Sequence, residues 1–342
     1  MAQKRVLIIS LGNIASTVYT LPLAGVLKDY GYRVDYVVSE KGFSVINRNP
    51  KVDKVVLMSM ERWHGKWLNP DTWEAFFKQV ERVNLVEYDI VIDCQQDIRS
   101  LLTFAMCKGR RKLTYSDAKG FASIGGNEMV DTKMKPESKN IVERNLNFLR
   151  YLKIEYNDII FPMPEIDYNF TLRHDKTFEL LDKDKKTVII SAGALNENKR
   201  WSPVNWQVLI DRIKDKYNLV FTGSIIDRHF IKEIGGEAFL NLCGETRVES
   251  FIDVLKRADI VITSDTETSA LAWAVGKPRI ITLFTCTDPE KYSPIDYNDK
   301  EKYKSLYGNL DCQPCESGVC MDVEAPCRKF PTVDDVIRAL AD

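Results

Sequence analysis

The chain reads as α/β, built from two Rossmann-like halves. Two observations predict this. Short β-branched runs of strand length alternate with amphipathic stretches of helical spacing, the pattern of βαβ units and a mostly parallel sheet. The pattern then pauses at a proline-containing segment and starts again, giving two halves of similar size within 342 residues. Facing each other across a cleft is the arrangement such a pair predicts.

In the first half, Lys4 to Ser10 is a buried strand and Gly12–Asn13 its turn. Thr17 to Tyr30 has helical apolar spacing, with Pro22 as a kink or boundary. Arg33 to Ser39 is the second strand, Gly42 to Asn47 a short helix and Lys54 to Met58 the third strand. Trp63, Trp67, Trp73, Phe76 and Phe77 follow, with a helix expected from about Asp71; packing is the default for such rings, and a lipid or acceptor contact the alternative. Tyr88 to Cys94 is the fourth strand, and Gln95 to Phe104 a polar turn entering a helix. Arg110, Arg111 and Lys112 read as a solvated basic cluster, Gly120 to Gly126 as a mobile loop and Glu137 to Leu152 as a long helix. The linker is Asn157 to Asp167, which divides the chain into domains at 1–160 and 161–342.

The second half repeats the alternation. Strands are expected at Thr187–Ser191, Leu219–Gly223, Asn241–Cys243, Ile260–Thr263 and Arg279–Phe284. Helices are expected at Pro203–Tyr217, Asp227–Ile234, Val248–Arg257 and about Thr268–Val275, with a last one at Thr332–Ala341 capped by Thr332 and Asp335. The richest stretch is Ala258 to Pro278. A strand runs into Ser264, Asp265 and Thr266, good helix caps, so free N–H groups and hydroxyls gather where an anion is favoured.

Composition limits the function classes. Lys plus Arg is 48 and Asp plus Glu is 49, so a net charge of −1 supplies no bulk attraction to nucleic acid or an anionic membrane. No apolar run approaches the roughly 18 residues of a membrane span, and the N-terminal apolar run is too short for a signal peptide. A cytoplasmic protein is expected, with peripheral contact at the inner membrane face left open. No G-x-G-x-x-G or G-x-x-x-x-G-K-[ST] is present, so neither a standard dinucleotide site nor a P-loop is expected.

Of eight cysteines, Cys94, Cys107, Cys243 and Cys286 lie in apolar runs and read as buried thiols. Cys312, Cys315, Cys320 and Cys327 form C-x2-C-x4-C-x6-C in the loop 312–327. Four thiolates at such spacing are a donor set for structural Zn or Fe, although the spacing matches no standard finger; free thiols are the alternative.

Four segments together resemble glycosyltransferase family 9, the ADP-heptose:lipopolysaccharide heptosyltransferases. They are SLGNIASTVYTLP (Ser10–Pro22), VIDCQQDIRS (Val91–Ser100), GALNENKRWSPVNW (Gly193–Trp206) and the run from Asn241 to Pro278. The resemblance implies a GT-B fold and an inverting transfer that needs no cofactor. Donor binding falls to the second domain and the acceptor, a saccharide or lipid-linked saccharide, to the first. It places Lys199 on the phosphates of a nucleotide-diphosphate sugar, with an ADP-sugar first choice. Arg200, the backbone at Gly223 and Ser224, and Asp265, Thr266, Thr268 and Ser269 surround it.

Four positions depart from the family pattern. Asn13 stands where the family has the Asp proposed as base, and an amide cannot take the acceptor's proton. Glu267 and Gln96 replace glycines, and Ala270 replaces a histidine. Asp97 and Glu267 are therefore candidates for a relocated base; Glu267 reading a sugar hydroxyl is the second option. A carboxylate at 267 must point away from a diphosphate or pair with a cation such as Lys199. A degenerate member that binds nucleotide or assembles with a partner, without turnover, is the rival function. The cysteine loop also has counterparts in the family, some of them iron-holding.

Overall fold

The computed structural model describes residues 3–117, 125–132, 138–165, 177–320, 322 and 324–341. It divides into two compact units, Met1–Glu165 and Ile166–Asp342, each with one six-stranded parallel sheet. Most of the expected mobile loop Gly120–Gly126 lies outside the described residues.

In the first unit the strands are β1 (Arg5–Ser10), β2 (Arg33–Ser39), β3 (Lys54–Met58), β4 (Tyr88–Asp93), β5 (Gly109–Tyr115) and β6 (Glu128–Val130). Their order is β3-β2-β1-β4-β5-β6, so the winding direction reverses between β1 and β4. Val6 pairs with Ile90 and Ile9 with Asp93, which brings both strands to their carboxyl ends together. Pro22 is a boundary rather than a kink: it lies in the first turn of α2 (Leu21–Asp29), where a missing N–H costs nothing, after the short α1 (Ile14–Val18).

The aromatic segment is core. Trp63 and Phe76 are buried, and their rings meet edge to face 5.9 Å apart. These rings cover one face of the sheet with Leu7, Ile9, Val91 and Phe104. Phe77 remains partly exposed. The basic cluster Arg110–Lys112 is largely solvated as expected, with Arg110 and Arg111 exposed, and it lies on strand β5, a strand the charge run concealed. Its outward side chains are paired, Arg111 with Glu128 of β6 at 2.6 Å.

The second unit holds β7 (Thr187–Ser191), β8 (Asn218–Phe221), β9 (Leu240–Asn241), β10 (Ile260–Ser264), β11 (Arg279–Phe284) and β12 (Tyr303–Tyr307). The order β12-β11-β10-β7-β8-β9 reverses between β10 and β7. The core contains Ile190, Ile262 and Leu283 from the strands and Trp206 from helix 203–213, with Trp201 beside it. Trp201 and Trp206 cross edge to face at 5.1 Å, and the Trp201 indole N–H donates to the Pro331 carbonyl. The closing helix 333–341 carries the expected cap: Thr332 Oγ donates to Asp335 and accepts from its N–H. Among the described residues no helix is long and apolar enough to cross a membrane.

Candidate functional site

Open parallel sheets bind ligands outside the carboxyl ends of their strands, where the winding reverses. Each unit has one such point.

In the second unit the point lies beyond Ser191 and Ser264. The loop after β7 makes a single 3-10 turn, Glu197–Lys199, and the loop after β10 enters the helix Glu267–Val275, which is capped by Thr266. The two loops meet through Lys199. Its ammonium donates to Asp265 Oδ2 at 2.9 Å and to the Asp265 carbonyl at 3.2 Å. An ammonium has three donors, so one remains for a ligand. Asp265 is buried and also accepts from Thr287 Oγ at 2.7 Å. Burial by itself would lower the Lys199 pKa; the adjacent Asp265 carboxylate outweighs it and holds the ammonium above its ordinary value. The cation is thus charged and fixed beside a helix N-terminus.

The hydroxyls around it divide by direction. Thr266 Oγ accepts the helix-capping N–H of Thr268. Thr268 Oγ exchanges a 2.9 Å hydrogen bond with Ser191 Oγ, and Ser269 Oγ another with Thr282 Oγ. These last two tie the helix to the sheet. Glu267 is half-buried and its carboxylate has no hydrogen-bond or ion-pair partner among the described residues; Lys199 pairs with Asp265 instead. Ala270 is buried, so the position offers no polar group.

Arg200 is directed away from Lys199: its Nε donates to the Ala194 carbonyl at 2.7 Å and its guanidinium lies over the Phe230 ring. Gly223 and Ser224 follow β8. The Ser224 N–H and hydroxyl both donate to Asp227, whose carboxylate fills the space where a Cβ at Gly193 would stand. Gly193 is therefore required by close approach. Thr287 and Ser191 were not legible as site residues, because only the sheet order brings them beside Asp265 and Thr268.

In the first unit the point lies beyond Ser10 and Asp93. Asn13 caps α1, accepting the Ser16 N–H at 2.9 Å, and its side chain is exposed. Asp97 caps the helix Ile98–Met106: Oδ1 accepts from the N–H groups of Arg99 and Ser100, and Oδ2 from Gln95 Nε2 and Arg99 Nε. Capping, the Arg99 pair and the Gln95 amide thus occupy both of its oxygens. Behind it Asp93 is fully buried and accepts from Gln95 N, Gln96 N and Ser100 Oγ. Burial pushes its pKa up to about 6. Gln96 adopts a left-handed φ of 61°, and its Oε1 accepts from Arg144 Nη2 at 2.6 Å.

All eight cysteines are free thiols; Cys107, Cys243 and Cys286 are buried as expected, whereas Cys94 is only half-buried. Cys312 and Cys315 are exposed, Cys320 is half-buried and Cys327 is buried. The four are chemically suited to Zn or Fe, but among the described residues no three His, Cys, Asp or Glu side chains converge enough to hold a metal. Burial and neighbouring thiols push Cys327 up to about 11. The segment is anchored beside the Lys199 loop: Glu316 N donates to the Cys286 carbonyl at 2.9 Å, and Asn198 Nδ2 donates to the Ser317 carbonyl at 3.2 Å.

Comparison with known proteins places this geometry in a lineage. The profile of Glycosyltransferase family 9 (heptosyltransferase) matches residues 75–323. Lipopolysaccharide heptosyltransferase 1 of Escherichia coli K12 is 21% identical over 291 residues, which cover 83% of this chain and 89% of that protein. The glycosyl transferase family 9 structure from Veillonella parvula has a TM-score of 0.82 at 16% identity, covering 100% of this chain and 97% of its own. The E. coli heptosyltransferase WaaC, solved with ADP-2-deoxy-2-fluoro heptose, has a TM-score of 0.72 at 20% identity, covering 98% and 99%. The two parallel α/β sheets are those of a GT-B fold, and the chain belongs to glycosyltransferase family 9.

Proposed function

We propose that this protein is an inverting glycosyltransferase that moves a heptose-like sugar from a nucleotide diphosphate to a hydroxyl of a saccharide or lipid-linked saccharide. The second unit, about residues 161–342, takes the donor, and the first, about 1–160, takes the acceptor. An ADP-sugar is the first choice of donor, because WaaC was solved with one. The reading is of a cytoplasmic enzyme working at the inner membrane face.

The observation that carries this reading is the Lys199–Asp265 pair at the mouth of the second sheet, beside the helix capped by Thr266. A departing diphosphate gains negative charge as the glycosidic C–O bond breaks. A preoriented ammonium and the helix N–H groups stabilise that charge without reorganising. The acceptor oxygen attacks the anomeric carbon, its proton passes to a base, and the nucleoside diphosphate leaves. Lys199 supplies charge stabilisation to this step, so no metal is required for it. Glu267, with no hydrogen-bond or ion-pair partner among the described residues, is the better of the two carboxylate candidates for contact with a sugar hydroxyl or its proton; Asp97 has its oxygens committed.

A second reading is favoured by Asn13, an exposed amide that serves as a helix cap and cannot act as base. Under it, the chain binds nucleotide and acts as an assembly subunit without turnover. Calorimetry and mass spectrometry with ADP-, UDP- and GDP-sugars, with and without saccharides, separate the two. Acceptor-dependent release of nucleoside diphosphate is expected. Tight binding with no release under any acceptor establishes the second reading, and binding of no nucleotide removes both.

A further inference from the structure

Lys199 ends a 3-10 turn of three residues, Glu197–Lys199, closed by its own N–H on the Asn196 carbonyl at 3.0 Å. A single such turn is too short to hold its shape alone, and a four-carbon lysine stem adds freedom to it. The ammonium is nevertheless fixed on Asp265. The residues on either side of Lys199 show what holds it.

Asn198 is buried; its Nδ2 donates to the Ser317 carbonyl at 3.2 Å, and its carbonyl accepts from Thr285 Oγ. On the other side the Arg200 carbonyl accepts from Arg328 Nε at 3.2 Å, and the Ser202 N–H donates to the Arg328 carbonyl at 2.8 Å. Both neighbours of Lys199 are thus bonded to the cysteine-bearing stretch, residues 310–320 and 324–331, directly or through Thr285.

That stretch also holds the partner of the lysine. Thr285, Cys286 and Thr287 follow β11 and are all buried. Thr285 Oγ reaches Asn198, while Thr287 Oγ donates at 2.7 Å to Asp265 Oδ2, the oxygen that also takes the ammonium. Gln313 Nε2 donates to the Thr285 carbonyl, and the Glu316 N–H to the Cys286 carbonyl at 2.9 Å. Gln313 is itself fixed, because its Oε1 accepts the Leu310 N–H at 2.9 Å. Gln313, Glu316 and Arg328 each stand directly after a cysteine, so the thiol spacing in the sequence marks the residues that make these contacts.

We infer that this stretch is a strap that positions the Lys199 ammonium, with Thr285 acting through Asn198 on one flank and Arg328 acting through the Arg200 carbonyl on the other. Thr285 and Arg328 are positioning residues for the donor phosphates, a role that rests on the reading of Lys199 as their contact. Without either bond the turn shifts, and a displacement of about 1 Å is costly for a group that works by being preoriented.

The test uses the full chain and two readouts: ADP affinity by calorimetry, and competitive acetylation of Lys199 followed by mass spectrometry. Thr285→Val keeps the shape and removes the hydroxyl; Arg328→Ala removes the donor from the opposite flank. Each should weaken ADP about three- to tenfold, and Thr285→Ser should stay within about twofold of the wild type. In a Lys199→Ala background the effect of Thr285→Val should vanish, which a general loosening of the fold would not produce. Lys199 should acetylate faster in both single variants, since an ammonium released from Asp265 gives up its proton more readily. Unchanged Lys199 labelling in either folded variant overturns the inference. So does an equal ADP loss from Thr285→Val with and without Lys199, or unchanged ADP affinity in the single variants when Lys199→Ala itself loses it. Faster labelling in both, with ADP affinity indifferent to Lys199→Ala, sustains the strap and removes Lys199 from the donor reading.

Discussion

The two units have the same sheet and the same winding reversal, yet the residues placed there are opposite in kind. The second unit places a charged ammonium, held by Asp265, at a nine-residue helix whose N–H groups add to its field. The first places amides, a capped carboxylate and a buried carboxyl group, with Arg99 paired to Asp97 and Arg144 to Asp117. Topology therefore supplies the location of a site twice, and a handful of loop side chains decides what each location binds. One point presents a fixed cation, the other mainly amides and carboxyl groups.

The largest change expected in that contrast follows from Asn13→Asp. Aspartate caps a helix as well as asparagine, so the fold should be unchanged, while a proton acceptor appears at the rim. If the missing base limits turnover, kcat should rise about 10²- to 10⁴-fold, read as acceptor-dependent diphosphate release. No rise in a variant of unaltered melting temperature would mean the base lies elsewhere, with Glu267→Gln the next variant to assay.

Asp93→Asn comes next. The folded pKa of about 6 lies above the ordinary carboxylate value of 3.8. The favourable linkage is complete below about pH 4 and is lost as pH rises through about 6, so at pH 7 the ionised group destabilises the fold by about 3 kcal/mol. The variant should gain on the wild type by up to that amount between pH 4 and pH 7, measured by urea unfolding. A pH-independent difference would show that the carboxyl is not strained by burial.

Lys199→Ala should weaken nucleoside-diphosphate binding about 10- to 100-fold, while Lys199→Arg retains part of it. Because the change leaves Asp265 buried without its cation, stability must be followed in parallel, and Lys199→Ala with Asp265→Asn separates the two effects. Unchanged affinity in a folded double variant would remove Lys199 from the donor seat. The smallest effect concerns the cysteines. The four thiols lie near enough to one another to perturb Cys327, and elemental analysis of anaerobically purified protein decides their use: about one Zn or Fe per chain is expected if they bind metal, and less than about 0.2 leaves them free thiols.

Much of this was legible in the residues. Strands β2, β3 and β7, the cap at Thr332 and the strand-to-helix passage at Asp265–Thr266 follow from β-branched runs and capping chemistry, which are local properties. Strand β5 was hidden because three consecutive charged residues, Arg110 to Lys112, mask strand periodicity, although only Arg110 and Arg111 are exposed and Lys112 folds over the Phe104 ring. β6 and β12 were missed too; each is a short strand at a sheet edge. The Lys199–Asp265 bond spans 66 positions, and no local pattern encodes it. Glu267 reads as a partner for Lys199 until the turn at Glu197–Lys199 delivers that lysine to Asp265.

What the amino-acid order determined alone is the α/β alternation, the two halves, the family motifs and the four departures from them, because each depends on neighbours in the chain. What the tertiary structure decided is the meaning of those departures. Asn13 became a cap, Asp97 a saturated cap, and Gln96 a strained amide beside unpaired atoms. The physical reason is that hydrogen-bond satisfaction and charge pairing are set by groups far apart in sequence, which meet only when the parallel strands bring their carboxyl ends together.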